Sequence, residues 1–500
     1  ALYRFEIGRV PGLPVHLPAA SHLLPVLRLW EHMHWGHSAF LMGQNYHYGV
    51  WYYFPVAFAL KTPPLTLFLL LLTLAALALR RLPSLGWRHE AALLALPVIY
   101  FGTSLTSRLN IGYRHLLPVL PFLFVFVSRL ATKHGTRNTC FVFRVSCLVL
   151  LACYAAVTLT LFPWHLAYFN VFAGGPDGGY RYLVDSNLDW GQTWKALRQY
   201  LEDQNITDFG LSQYTINDPH AYGLDYTPLP PWPDAPPVLP RRFDPPPGVY
   251  AISTTTLQGV VVADPEMFDY FRKIEPIARV GHAMFVYRID AHPDARWVAQ
   301  CTVPVAPLPP DVLAEGLGRD DLRLAFFDCS QSWLYPPGNG WYVLSRDADG
   351  WSKAHLRRPR LAYEQTRPGT VPPFAIYEWF GQDALAGLAA APVIAAPGDW
   401  LPHQAETEGA SLVAPVAVGD ILEFLGYVAE STAVPAGRAA AIQTYWRVTQ
   451  TPQQSLSLMA HLLDGAGVPI AVGDGWGVPY EQLRRGDVIV HRHVFAIPPQ

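Results

Sequence analysis

The chain has 500 residues, of which 51% are hydrophobic and 15% charged, and its formal net charge at pH 7 is −3. This charge, without a basic stripe interleaved with aromatic residues, excludes nucleic-acid binding as the main function. The mean hydropathy of +0.15 is higher than a soluble enzyme usually shows. Because the long apolar runs lie almost entirely before Pro163, we expect a membrane part followed by extracytoplasmic domains. The chain opens at Ala1, and we expect it to be a fragment of a longer protein.

Residues 1–63 are predicted to form an extracytoplasmic or interfacial loop region, because prolines interrupt every long helical pattern. Three histidines, His32, His34 and His37, lie close together there and suggest a metal cluster. No cysteine or acidic ligand has matching spacing, so a short amphipathic helix over His22–His34 on the membrane surface is favoured. No cofactor is predicted, and a divalent metal is left open.

Residues 64–163 are predicted to form an α-helical membrane bundle with four crossings. The expected spans are about Pro64–Leu79, Glu90–Thr106, His115–Leu130 and Phe141–Phe162. Arginine and lysine residues cluster at one set of span ends, and the positive-inside rule places those ends in the cytoplasm. We therefore expect a multi-pass protein of the cell membrane, with the chain after about residue 164 outside the cytoplasm.

Three cationic or hydrogen-bonding residues are predicted to lie at the outer membrane boundary. Lys61 interrupts the apolar run Trp51–Leu79, and Arg114 with His115 precede the third span. Cations at this level match what a lipid phosphate or diphosphate needs. The alternative is a snorkelling lysine with two interfacial anchors.

Asp185, Asn187 and Asp189 alternate as the ligands of a calcium loop do, but the required glycine and distant glutamate are missing. We consider them possible ligand contacts. The structural alternative is that Asp185 or Asn187 caps a helix from about Trp190 to Glu202. Residues 164–290, which contain them, alternate helix and strand signals and predict a small extracytoplasmic α/β domain.

The rest of the chain is divided by an Ala/Pro-rich linker predicted at 387–402. Residues 291–386 give irregular signals and are expected to form a mixed domain. Residues 403–500 show alternation of period two between turns, which predicts a C-terminal β-sandwich. If this region is extracytoplasmic, Cys301 and Cys329 are expected to form a disulfide.

Three aromatic residues of the predicted sandwich, Tyr445, Trp476 and Tyr480, are possible platforms for stacking on sugar rings. Aromatic residues in such modules more often belong to the core. The sequence leaves both readings open.

Four ordered blocks carry a resemblance to a known family: WYYFPVAFALKTPP, NIGYRHLLPVLPF, HLAYFNVFAGGP and YLVDSNLDWGQTWKALRQYL. They resemble the later part of bacterial membrane glycosyltransferases of family 39, the protein O-mannosyltransferase-like group of the C-type superfamily. The resemblance covers about residues 35–290, and the β-rich tail is loosely similar to accessory sandwich modules of such enzymes.

The resemblance implies a polyprenyl-phosphate-linked sugar as donor and transfer, with inversion, to a glycan, lipid or protein on the outer face of the membrane. It gives Lys61, Arg114 and His115 the phosphate-facing role and places the general base upstream of residue 1, so the catalytic residue is unknown. The main alternative is a non-enzymatic, membrane-anchored scaffold that binds glycans or an envelope protein. A solute transporter is weaker, because no inverted repeat is visible.

Overall fold

The computed structural model describes most of the chain, in two compact units. Unit 1 comprises Ala1–Leu239 and Pro247–Asp290, and unit 2 comprises Pro240–Pro246 and Ala291–Gln500. The described residues are 7–9, 16–18, 20–21, 24–25, 37–82, 86–132, 137–215, 217–232, 234–236, 239–290, 295–319, 321–356, 360–365, 372–381, 415–430 and 433–499. The predicted linker at 387–402, and the amphipathic helix at His22–His34 apart from residues 24–25, lie outside them.

Unit 1 begins with two short hairpins and continues with helices. The hairpins pair β1 (Ile7–Arg9) with β2 (His16–Pro18) and β3 (Ala39–Leu41) with β4 (Gln44–Tyr46). The helices are α1 (Tyr53–Lys61), α2 (Pro64–Ala78), α3 (Trp87–Ser104), α4 (Leu120–Ser128) and α5 (Arg137–Thr160).

Two proline positions explain where the apolar helices break. Thr62 and Pro63 take extended backbone conformations and Pro64 opens α2, because a residue before proline avoids the helical region and proline suits a first helical turn. The axes of α1 and α2 consequently meet at 111°. Likewise, Tyr113–Val119, which contains Pro118, is a 3-10 helix and shortens the α-helix that follows it.

The predicted bundle of four membrane crossings is wrong. Among the described residues no individual helix is both long and apolar enough to cross a bilayer, and only the bent pair α1–α2 passes such a test of length and composition together. The proline breaks are one physical reason. Charge is a second, because Arg88 and Glu90 lie in the first turn of α3.

The second half of unit 1 contains 3-10 turns, three helices and a mixed sheet. The elements are α6 (Trp194–Asp203), β5 (Gly210–Ser212), β6 (Thr227–Pro228), β7 (Gly248–Ser253), α7 (Thr254–Leu257), α8 (Asp269–Lys273), β8 (Ala278–Val280) and β9 (Met284–Ile289). The strand order is β6-β5-β7-β9-β8. Strand β5 runs parallel to β6 and β7, and β9 runs antiparallel to β7 and β8.

The predicted α/β elements of 164–290 are therefore present, and a buried cluster of their own combines side chains of α6 with those of β5, β7, β8 and β9. A second buried cluster combines Phe54 of α1, Leu116 of the 3-10 helix, and Phe169, Leu183 and Leu188 of the turns after α5. This shared core brings the segments after α5 against α1, and the candidate site residues lie around it.

Unit 2 is built from two five-stranded sheets. The strands are β10 (Trp297–Cys301), β11 (Arg323–Phe327), β12 (Ser332–Tyr335), β13 (Gly340–Ser345), β14 (Arg360–Gln365), β15 (Phe374–Trp379), β16 (Val416–Val418), β17 (Leu422–Ala429), β18 (Ala439–Val448), β19 (His461–Leu463), β20 (Pro469–Val472) and β21 (Val488–Ala496). Helices α9 (Pro310–Leu317) and α10 (Gly350–His355) accompany them. The sheet orders are β11-β10-β13-β15-β14 and β12-β21-β18-β17-β16, and β19 pairs with β20.

The segments predicted as an irregular domain and a separate C-terminal sandwich share one sheet and one buried core. β12, from the earlier segment, pairs with β21 over Ser332–Tyr335, and one buried core combines Trp333 and Trp297 with Ile489. The described strands β16, β17, β18 and β21 of the C-terminal segment form one layer, whose apolar face packs with the earlier strands as the second layer. Cys301 and Cys329 form the expected disulfide, with their Cα atoms 5.3 Å apart.

Candidate functional site

The site is organised around the side chain of Asn187, which is buried in unit 1. Its Oδ1 accepts a hydrogen bond from the backbone N–H of Tyr113 at 3.0 Å, and its Nδ2 donates to the Tyr53 hydroxyl and to the Val184 carbonyl, both at 2.9 Å. All three hydrogen-bonding atoms of the amide are used, as burial requires. Asn187 thus joins the segments that contain Lys61, Arg114 and itself, which are far apart in the sequence.

Lys61 lies inside the protein and not at its surface. The side chain is 8% exposed, and its Nζ donates to the Leu166 carbonyl at 2.8 Å and to the Asn187 carbonyl at 2.5 Å. Its Nζ also lies 4.5 Å from the centroid of the Phe169 ring. Burial lowers the pKa of Lys61 to about 7. This environment does not present the amino group to a phosphate.

Arg114 is exposed and lies on an aromatic side chain. Its guanidinium carbon is 4.8 Å from the centroid of the Trp190 ring, a cation–π contact, and 46% of Trp190 is itself exposed. The neighbouring His115 instead turns inward, with its ring edge-on to Phe54 at 6.3 Å. Burial, and secondly the charge of Arg114, lower the pKa of His115. Of the three predicted phosphate contacts, only Arg114 is exposed.

Asp185 is a partly exposed carboxyl in a constrained backbone. Its φ of 61° lies in the left-handed region, its N–H donates to Thr255 Oγ1 at 3.0 Å, and its Oδ1 accepts the Ser186 N–H at 2.5 Å. Such a conformation persists only where surrounding contacts fix it.

The electrostatic surroundings of Asp185 are mixed. Burial raises the pKa of its carboxyl, whereas the charge of His37, the hydrogen bond from the Ser186 N–H and the charge of Arg114 act in the opposite direction. His37, Arg114 and Tyr214 are the titratable or charged groups that influence this carboxyl. A carboxyl held between these opposing effects is suited to gaining and losing a proton.

The Asp189 carboxyl accepts hydrogen bonds from nearby residues of the same turn. Its Oδ1 accepts the Gly191 N–H at 2.8 Å and its Oδ2 accepts the Thr193 hydroxyl at 3.2 Å, while burial raises its pKa. The Tyr214 hydroxyl donates to its carbonyl. Asp189 is 1% exposed, so it is not open to a ligand. The helix begins at Trp194 with Thr193 at its N-cap, so neither Asp185 nor Asn187 caps it.

Sequence reasoning missed the contributions of Tyr53, Tyr214 and Thr255 to this site. Tyr53 lies within a quoted family block, and a tyrosine among apolar residues is a signal that its hydroxyl needs a buried partner. Tyr214 follows β5 and Thr255 lies in α7, and neither offered such a signal. His37 was considered only as a metal ligand. Within the described ranges no group of three or more His, Cys, Asp or Glu side chains is arranged to hold a metal ion.

The three possible sugar-stacking residues are placed differently in unit 2. Tyr445 of β18 and Trp476 are partly buried and pack against the core, and the indole N–H of Trp476 is buried. Tyr480 is partly exposed at the start of a 3-10 helix. Two of the three are thus core-packing residues, so they do not form an exposed platform.

Comparison with known protein families, with curated proteins and with solved structures found no match. The chemistry of the chain is consequently argued from its own residues. The loop Asp185–Gln192, hereafter the site loop, combines a titratable carboxyl with the aromatic support of an exposed arginine. This combination is suited to a ligand that carries both an anionic group and a transferable proton.

Proposed function

We propose that the chain is part of a glycosyltransferase that uses a polyprenyl-phosphate-linked sugar as donor, and that Arg114 contacts the donor phosphate. The observation that carries the proposal is the exposed guanidinium of Arg114, which is held 4.8 Å from the Trp190 ring and whose charge also acts on the Asp185 carboxyl. A planar guanidinium offers parallel donors to phosphate oxygens. Trp190 reduces the conformational freedom that Arg114 would lose on binding.

The proposed reaction is a displacement at the anomeric carbon of the donor sugar. An acceptor hydroxyl attacks the anomeric carbon, the bond from that carbon to the phosphate oxygen breaks, and polyprenyl phosphate leaves with the electron pair. Arg114 stabilises the negative charge that develops on the leaving phosphate. Asp185 accepts the proton of the attacking hydroxyl, a role that the family resemblance gave to a residue upstream of residue 1.

We further propose that the helical part of unit 1 contacts lipid. Apolar side chains on these helices are strongly exposed, with Phe68 60%, Leu71 67% and Leu159 74% accessible. Exposed apolar side chains in such number are typical of protein or membrane contacts, and a lipid-linked donor favours the membrane. Recovery of the chain from cells in a fraction that detergent, but not high salt, releases would support this location. Full release by salt would contradict it.

The enzymatic proposal is tested by incubating the purified protein in detergent with labelled polyprenyl-phosphate mannose and measuring release of polyprenyl phosphate. We expect Arg114→Gln to lower kcat/KM by about 100-fold or more, as for other lost contacts to developing charge. Arg198→Gln is the matched control, because Arg198 is another exposed arginine and pairs with Glu202. Equal turnover by Arg114→Gln and wild type would remove Arg114 from the site.

A second variant tests the proton acceptor. Asp185→Asn keeps the size of the side chain and removes its ability to accept a proton. We expect loss of the acidic limb of the pH–rate profile together with a fall in kcat. An unchanged profile would assign proton transfer to another residue. Absence of any release by wild type with mannose, glucose and N-acetylglucosamine donors would overturn the proposed function.

A further inference from the structure

We infer that Lys61 is a positioning residue that holds the site loop against the segments around it, and that it does not touch the donor. The catalytic consequence of this inference rests on the proposed function, whereas the structural part does not. It reverses the role that the sequence gave to this residue.

The geometry shows what the amino group connects. Leu166 lies in the 3-10 turn His165–Ala167, and Asn187 lies in the 3-10 turn Asp185–Asn187. The Lys61 amino group donates to a carbonyl of each turn, at 2.8 and 2.5 Å, from the last residue of α1. Even an uncharged amine has two N–H donors, so both bonds persist in either protonation state. One side chain thereby fixes two turns to the end of a helix.

The site loop depends on such side-chain ties. Its only described regular element is a three-residue 3-10 turn, and Asp185 has a left-handed φ of 61°. The loop also uses Gln192, which accepts the Trp190 N–H at 2.7 Å and donates to the Leu188 carbonyl at 2.8 Å. Without the hydrogen bond from Lys61, the buried Asn187 carbonyl would lack this donor. The loop would then rearrange so that the carbonyl finds another hydrogen-bond partner.

A positioning residue and a residue that contacts the donor differ in their kinetic effect and in their accessibility to a reagent. Replacing a residue that touches the phosphate weakens donor binding, and bound donor shields that residue from modification. A residue that positions Asp185 and Trp190 affects mainly kcat, because Arg114 still reaches the phosphate, and its own accessibility does not depend on the donor.

The first experiment uses the wild-type chain, so it does not depend on a variant folding. The protein is treated with an amine-selective reagent, and modification of Lys61 is compared by mass spectrometry with that of exposed Lys195. We expect Lys61 to remain unmodified with or without polyprenyl phosphate. Modification at the rate of Lys195, prevented by polyprenyl phosphate, would overturn the inference.

The second experiment measures hydrogen exchange of residues 185–192 in Lys61→Met and Lys61→Arg. Met keeps an unbranched apolar chain without donors, whereas Arg restores donors. We expect at least tenfold faster exchange in the Met variant and partial restoration by Arg. Gln300→Leu is the control, because Gln300 is a fully buried residue that ties the Leu308 backbone within unit 2. It should leave exchange at 185–192 unchanged.

The kinetic readout completes the test. We expect Lys61→Met to lower kcat at least tenfold with KM for the donor within threefold of wild type, and Lys61→Arg to recover part of kcat. Unchanged exchange at 185–192 in Lys61→Met, or a rise in KM without a fall in kcat, would overturn the inference. If wild type has no activity with any donor, the proposed function fails, and exchange and amine modification still decide whether Lys61 holds the loop. If Lys61→Met does not fold, Lys61→Arg and the wild-type modification decide it.

Discussion

Acid is expected to destabilise unit 2 through a buried histidine. His491 of β21 is 1% exposed, its Nδ1 lies 2.7 Å from Ser332 Oγ, and its ring centroid is 4.5 Å from that of His493. Burial, and then the charge of His493, lower the pKa of His491 from 6.5 to about 4, while Asp328 acts in the opposite direction. Because the unfolded state takes up a proton at higher pH, stability is fully present above pH 6.5 and is lost as pH falls toward about 4. At about 1.4 kcal/mol per pKa unit, the whole effect is about 3 kcal/mol, and about 2 kcal/mol of it is lost by pH 5.

The assay is hydrogen exchange of the β21 amides in the full chain at increasing urea, at pH 7.5 and pH 5, corrected for intrinsic exchange rates. We expect the free energy of opening to fall by about 2 kcal/mol at the lower pH. In His491→Gln most of this difference should disappear, leaving the contribution of His493, whose pKa burial also lowers. His461→Gln is the control, because His461 is an exposed partner of Asp474. Equal opening energies at the two pH values in wild type would refute the argument.

Two further predictions concern local structure. Replacing Cys301 and Cys329 by serine removes a cross-link across 28 residues and should lower the free energy of unfolding of unit 2 by about 3–4 kcal/mol in urea titrations; no change would mean that the bond does not restrain the unfolded chain. A Cβ at Gly112 would lie 2.5 Å from Ser186 Oγ, so Gly112→Ala should displace the site loop and speed its hydrogen exchange. Gly102→Ala, where nothing lies within 4 Å, should not, and equal exchange in both variants would contradict this packing.

Local sequence patterns predicted where the helices lie, but the prediction that these helices cross a membrane was wrong. The apolar runs fall on α2, α3 and α5 within a few residues, because periodicity and composition are properties of the segment itself. Their treatment as membrane crossings failed on helix length, because α2 has 15 residues and the 3-10 helix that contains Pro118 leaves 9 residues to α4. Hydropathy averages over a window, whereas a helix ends at a particular residue.

For the strands, local patterns predicted an element but not the strand with which it pairs. Alternation predicted the strand of Ile442–Val448, which lies in β18, but no pattern showed that β12 would pair with β21. The two partners are more than 150 residues apart, and their pairing depends on which apolar faces remain to be covered after local folding. The division at 387–402 treated a change in composition as a boundary between cores, although the shared core extends over both sides of it.

At the site, the role that we infer for Lys61 differs from the phosphate contact that the sequence predicted. The prediction that a cation in an apolar run reaches the membrane surface assumes that no polar group inside the protein can accept its hydrogen bonds. Every residue of a folded chain carries a carbonyl, and carbonyls of 3-10 turns such as Leu166 and Asn187 are left without regular helical partners. A buried lysine can therefore be satisfied by irregular backbone, and it stabilises that backbone in return. Segments rich in turns but fixed in one conformation, such as the site loop, are where such a lysine is to be expected, and they are also where functional side chains need to be held still.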